Sequence, residues 1–105
     1  MDGQILFLTD GRAISYAETL MGMVEAFDLG EIVGGPTAGA NGNVNSVRLP
    51  GGYQMVWTGM RVTLHDGGVL HGQGIQPDVP VSRTIEGVRA GRDEILEAAL
   101  ARVAP

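Results

Sequence analysis

The chain has 105 residues, a formal net charge of −5, 44% apolar residues and no cysteine. That length suits one domain with a single core, and the apolar share is that of a chain that folds. The acidic balance, with no basic run, argues against nucleic-acid binding by phosphate neutralisation. Missing cysteines exclude disulfides and thiolate metal sites.

All seven basic residues are arginines. Without lysine, a serine–lysine dyad, a phosphate-loop lysine and a Schiff base are all ruled out within these residues. No apolar stretch is long enough to span a bilayer, and the first residues lack the basic start and hydrophobic region of a signal peptide. Any export signal is expected to lie outside this sequence.

Ile5-Leu6-Phe7-Leu8-Thr9 is a continuous apolar run, which predicts a strand covered on both faces. Asp10 to Glu18 then hands over to a helix expected from about Ile14 to Leu29. Ala17, Leu20, Met21, Val24 and Phe27 recur there at helical spacing, and Gly30 is the expected stop. Glu31-Ile32-Val33 reads as a second strand, completing a strand–helix–strand unit. Gly34 to Gly42 is a glycine-rich loop with Pro36 and Asn41 as further turn formers.

From Asn43 the period changes to two. Residues up to Leu49, the turn Pro50-Gly51-Gly52, and Tyr53 to Thr58 predict a hairpin. Arg61 to Leu64 reads as a further strand, ended by Asp66-Gly67-Gly68. Residues 72–80 form a segment that its prolines confine to a sheet edge. Gly91 to Val103 is the closing helix, with Ile95, Leu96, Ala99, Leu100 and Val103 on one face. Trp57 and the methionines are expected in the core.

Ser15 stands at the head of the first helix, where unpaired N–H groups and the positive end of the helix dipole converge. Two roles compete for it. Ser15 and Glu18 fit Ser-x-x-Glu, the capping-box pattern. A nucleophilic serine would instead need a base, donors for an oxyanion and a substrate groove; the backbone N–H of Tyr16 is one candidate donor. The glycine-rich loop lacks the lysine and following helix of a phosphate cradle, so it reads as the border of a substrate cleft. His65 and His71 are the only imidazoles, and neither has metal-ligand spacing with a second donor. No metal and no cofactor is expected. His65 reads as a solvated loop residue; His71 is either an exposed strand residue or a group that reaches back toward the serine.

Three segments, in order, resemble the carboxyl-terminal processing (tail-specific) serine peptidases. Leu8-Thr9 through Ala13-Ile14-Ser15-Tyr16-Ala17-Glu18 is similar to their nucleophile region. Gly34-Gly35-Pro36-Thr37-Ala38-Gly39 resembles their glycine-threonine loop, and Gly74-Ile75-Gln76-Pro77-Asp78-Val79 their late Gly-Val-x-Pro-Asp-Val signature. The resemblance covers nearly the whole chain. It implies an α/β fold of the Clp protease/crotonase type, present as a fragment: a mixed sheet with one long helix after the first strand and a C-terminal helix. It places Ser15 at the nucleophile position and Tyr16 N–H in the oxyanion hole.

The position where the processing peptidases carry a lysine base is Ala40 here. The resemblance therefore runs to the tricorn-type branch, whose histidine base comes from more N-terminal sequence. Where that branch often places a supporting acidic residue, His71 stands, which implies a supporting role for it. These points together imply the C-terminal part of a larger peptidase domain acting on peptides or proteins, nearly inactive by itself and prone to self-association through uncovered apolar surface. A location outside the cytoplasm is implied by the resemblance alone. The rival expectation is a non-catalytic binding or assembly module on the same fold.

Overall fold

The computed structural model describes residues 3–103. In chain order the elements are β1 (Leu6–Thr9), α1 (Tyr16–Phe27), β2 (Glu31–Gly34), β3 (Val44–Arg48), β4 (Gln54–Thr58), β5 (Val79–Pro80), α2 (Ile85–Arg89) and α3 (Glu94–Val103). β1, β2 and β5 form a parallel sheet in that order, with Leu6 opposite Glu31 and Val33 opposite Val79. β3 and β4 form a separate antiparallel hairpin.

Successive side chains on a strand point to opposite faces, and β2 uses both. Ile32 packs with Val24, Leu70 and Ile75, with Phe7 and Met21 against them, on the α1 side. Val33 packs with Ile95 and Ala99 of α3, joined by Leu6 and Val79. The parallel sheet therefore lies between α1 and α3. Burying each of Val24, Ile32, Val33, Leu70, Ile75 and Ile95 stabilises the fold by about 1.5–3 kcal/mol.

Several expectations need correction. β1 is an edge strand, and Leu8 is 45% exposed, so one face is uncovered. Along α1 only Val24 of the predicted apolar face is buried, while Leu20 and Phe27 are exposed. That helix stops at Asp28 in the left-handed conformation (φ 50°), two residues before Gly30. Trp57 and Met55 are exposed instead of buried, because both strands of the hairpin are exposed along their length; Met23 on α1 and Met60 after β4 are exposed too, Met21 is half-buried, and Met1 lies outside the described residues. Of the strand predicted at Arg61–Leu64 only a single bridge, Thr63 to Val69, forms. The 72–80 segment pairs only at Val79–Pro80, on the edge its prolines allow. The short helix α2 carries no long apolar stripe and was not predicted.

The hairpin gives the molecule its shape. The radius of gyration is 17.1 Å, against about 13 Å for a compact domain of this length. The longest axis is 61 Å and the shortest 23 Å.

Candidate active site

The chain leaves β1 at Thr9 and enters α1 at Tyr16, and the intervening turn is held from two sides. On one side Asp10 accepts from the Arg12 backbone N–H at 2.9 Å and from its guanidinium at 3.0 Å, and pairs with Arg83. The Arg12 guanidinium first, then its backbone N–H and Arg83, hold the Asp10 carboxyl well below the usual carboxylate range. On the other side Ala38 N–H donates to the Ala13 carbonyl at 2.9 Å and Ser15 N–H to the Ala40 carbonyl at 3.0 Å.

Ser15 sits at φ 58° and ψ −116°, a conformation that costs a non-glycine residue about 1–3 kcal/mol. An ordinary N-cap is extended and turns its hydroxyl onto the helix. Ser15 does not: its hydroxyl makes no cap hydrogen bond, and the Glu18 N–H goes to the Ser15 backbone carbonyl at 2.9 Å. Ser15 and Glu18 thus stand in the capping-box arrangement the sequence suggests, but the hydroxyl makes no cap hydrogen bond in it. The hydrogen bond that closes the box is the one from Ser15 N–H to the Glu18 carboxylate, at 3.1 Å. The Ser15 side chain is exposed, and Tyr16 N–H, first in the helix, has no acceptor among the described residues. A hydroxyl on a strained strand-to-helix turn, with a free helix N–H following it, is the arrangement used by nucleophile elbows.

Beneath Ser15 lies a buried polar network. Glu18 is fully buried and takes four hydrogen bonds: from Thr37 Oγ1 at 2.7 Å, Gly39 N–H at 2.6 Å, Ala40 N–H at 2.9 Å and Ser15 N–H. These fill the acceptor positions of a carboxylate. Thr37 Oγ1 accepts in turn from Ile75 N–H at 2.8 Å, and Thr37 N–H donates to the Ile75 carbonyl at 3.1 Å. All three motifs thus meet at one place. The fit is tight: a Cβ at Gly74 (φ 72°) would strike the Thr37 carbonyl and hydroxyl, and one at Gly39 (φ 68°) would lie 2.8 Å from Gly72 N. The sequence marked Glu18 only as the partner in a capping box and gave Thr37 no role of its own.

The imidazoles are placed elsewhere. His71 is half-buried, and its Nε2 accepts from Val62 N–H at 3.0 Å. Its neighbour Gly72 donates to the Gly39 carbonyl at 2.9 Å, so His71 borders the glycine loop while its ring turns away to Val62. His65 is exposed, with Nδ1 3.6 Å from Glu25. Neither ring hydrogen-bonds to Ser15 among the described residues. Two depressions flank the nucleophile turn. A cleft of about 270 Å³ runs along α1 from Glu18, Thr19 and Asn41 to Phe27, walled by Leu64 and Leu70. Another, of about 310 Å³, is lined by Thr9, Asp10, Ala13 and Arg83. No group of three or more metal-ligating side chains occurs among the described residues.

Residues 1–81 match peptidase family S41. The chain belongs to that family. The S41 fold is also seen in solved structures. A protein of Parabacteroides merdae ATCC 43184 proposed to be a peptidase superposes with a TM-score of 0.85 at 25% identity, over 100% of this chain and 33% of its own. Mature CPAF complexed with lactacystin gives 0.79 at 25% identity, over 95% of this chain and 19% of its own. The tricorn protease shares the fold at a TM-score of 0.83 and 22% identity, over 95% of this chain and 10% of its own. The S41 chain described here thus spans a third or less of each of these relatives. No curated protein sequence matches it. The mixed α/β architecture and the resemblance to the processing peptidases both hold. No described helix is long and apolar enough to cross a membrane.

Proposed function

We propose that these residues form the C-terminal part of a larger S41 catalytic domain, which hydrolyses peptide bonds by acyl transfer through Ser15. One observation carries the reading: Ser15 is held at φ 58° with an exposed hydroxyl free of any cap bond. Strain at a serine on a strand-to-helix turn has a use in presenting a nucleophile and none in capping.

In this reaction the Ser15 Oγ attacks the scissile carbonyl as a base removes its proton. The oxyanion lies against Tyr16 N–H and the positive end of α1. The base returns the proton to the leaving amine, and water then releases the acyl group by the same path. The base and a second oxyanion donor come from sequence outside these residues, since both imidazoles are turned away from Ser15. The position of His71 beside the glycine loop favours a supporting role for it, with its ring held by Val62 N–H. The substrate is a peptide or protein, and the exposed apolar faces of β1, α1 and the hairpin support self-association.

The test is a serine-directed phosphonate on the full-length protein. Labelling of Ser15, lost in Ser15→Ala, is the expected result; labelling elsewhere or nowhere rejects the proposal. The 105 residues alone should show almost no hydrolysis, because a triad without its base loses orders of magnitude in rate. The methyl side chain of Ala40, beside the nucleophile where the processing peptidases have a lysine, favours a second reading, a non-catalytic module. Wild-type binding of peptides with no hydrolysis by the full-length protein would select it.

A further inference from the structure

We infer that Glu18 is the positioning residue that keeps Ser15 out of the capping conformation. A serine at the first position of Ser-x-x-Glu has a favourable alternative: extended backbone, with Oγ accepting from the helix N–H groups. In this chain that alternative is closed. The Glu18 carboxylate and the Ala40 carbonyl share the Ser15 N–H, at 3.1 and 3.0 Å, and so fix the direction of the peptide plane entering Ser15. Ala40 itself is held by the same carboxylate through its own N–H at 2.9 Å. Both acceptors of the Ser15 N–H therefore depend on Glu18.

The carboxylate is rigid because it is buried and every donor around it is anchored. Gly39 and Ala40 supply backbone N–H groups from the glycine loop, and Thr37 Oγ1 is pinned between Glu18 and Ile75 N–H. The strain at Ser15 is offset by four hydrogen bonds to one buried carboxylate, where charge-assisted bonds are strongest. The same relay ties the aim of the hydroxyl to the Gly74–Ile75 segment, on the far side of the loop. Glu18 touches neither substrate nor reacting atoms; it acts through Ser15.

This inference rests on the reading of Ser15 as nucleophile for its catalytic meaning, and its test separates the two. In the full-length protein, Ser15→Ala is compared in the wild-type and Glu18→Ala backgrounds by thermal unfolding. In the wild-type background Ser15→Ala should leave the melting temperature unchanged, since the hydroxyl makes no cap hydrogen bond. In the Glu18→Ala background the freed Ser15 becomes an ordinary cap, so the same substitution should lower the melting temperature by several degrees. Equal shifts in the two backgrounds would overturn the inference. If Glu18→Ala does not fold, Glu18→Asp, which keeps a buried carboxylate but draws it back from Ser15, is read by the same criterion. The phosphonate supplies the second readout: Glu18→Asp should slow labelling of Ser15 at least tenfold at saturating probe, with half-saturation unchanged. Failure of wild type to label removes the peptidase reading and leaves the melting comparison to judge Glu18.

Discussion

The glycine loop and the β3–β4 hairpin are neighbours in sequence and opposites in structure. From Gly34 to Ala40 the chain is pinned to α1 and to Ile75 by hydrogen bonds that converge on Glu18 and Thr37. A few residues later both hairpin strands are exposed along their whole length, with Val47, Met55 and Trp57 uncovered. The loop has glycines and little side-chain bulk, whereas the hairpin carries Val44, Val47, Tyr53, Val56 and Trp57. Order at the nucleophile thus comes from polar groups that find partners, whereas apolar content alone has not given the hairpin a core.

The contrast predicts where substitutions will matter. The largest effect is expected at Gly74→Ala, where a methyl group meets the Thr37 carbonyl and hydroxyl at a positive φ. It should cost at least about 3 kcal/mol, read as a fall in the urea midpoint with unchanged slope. A wild-type midpoint would show that the network yields easily. Next comes Ser15→Gly. Glycine adopts φ 58° freely, so unfolding should become harder by about 1 kcal/mol while all phosphonate labelling is lost; a loss of stability would mean that Ser15 is not strained.

A smaller effect belongs to the outer anchor of the turn. Because Arg12 and Arg83 lower the Asp10 pKa in the folded state, the stabilisation is fully present above the unfolded carboxylate pKa of about 3.9, begins to fall below it, and is lost only as pH drops through the lower folded value. The pair is solvent-screened, so Asp10→Asn should cost less than about 1 kcal/mol at pH 7, and less still in high salt. Urea titrations at pH 7 and pH 3, with and without salt, check this; a cost that persists undiminished at pH 3 would place the effect outside the ion pair. The smallest change is expected in the hairpin. Met55→Thr, on a side chain 52% exposed, should shift stability by no more than about 0.5 kcal/mol. A large loss would mean that the hairpin is covered in solution, and light scattering on the same samples would then show a species larger than one chain.

Much of this protein was legible in one dimension. Periodicity located α1, β2, the hairpin and α3 to within a few residues, because those signals are local. Spacing put a serine at the strand-to-helix turn and lined up three motifs. Burial was not legible: apolar runs at β1, α1 and Trp57 read as core, yet whether an apolar face is covered depends on which elements pack against it.

By itself the sequence determined the order of the elements, the absence of lysine and thiol chemistry, and a hydroxyl at the head of α1. Only the tertiary structure decided what that hydroxyl does. Ser-x-x-Glu is compatible with a cap until Thr37, Gly39 and Ala40, some twenty residues away along the chain, close around the Glu18 carboxylate and take Ser15 N–H with it. Capping is a contest between acceptors for a few N–H groups. Its outcome is set by partners brought together through folding, which no local pattern records.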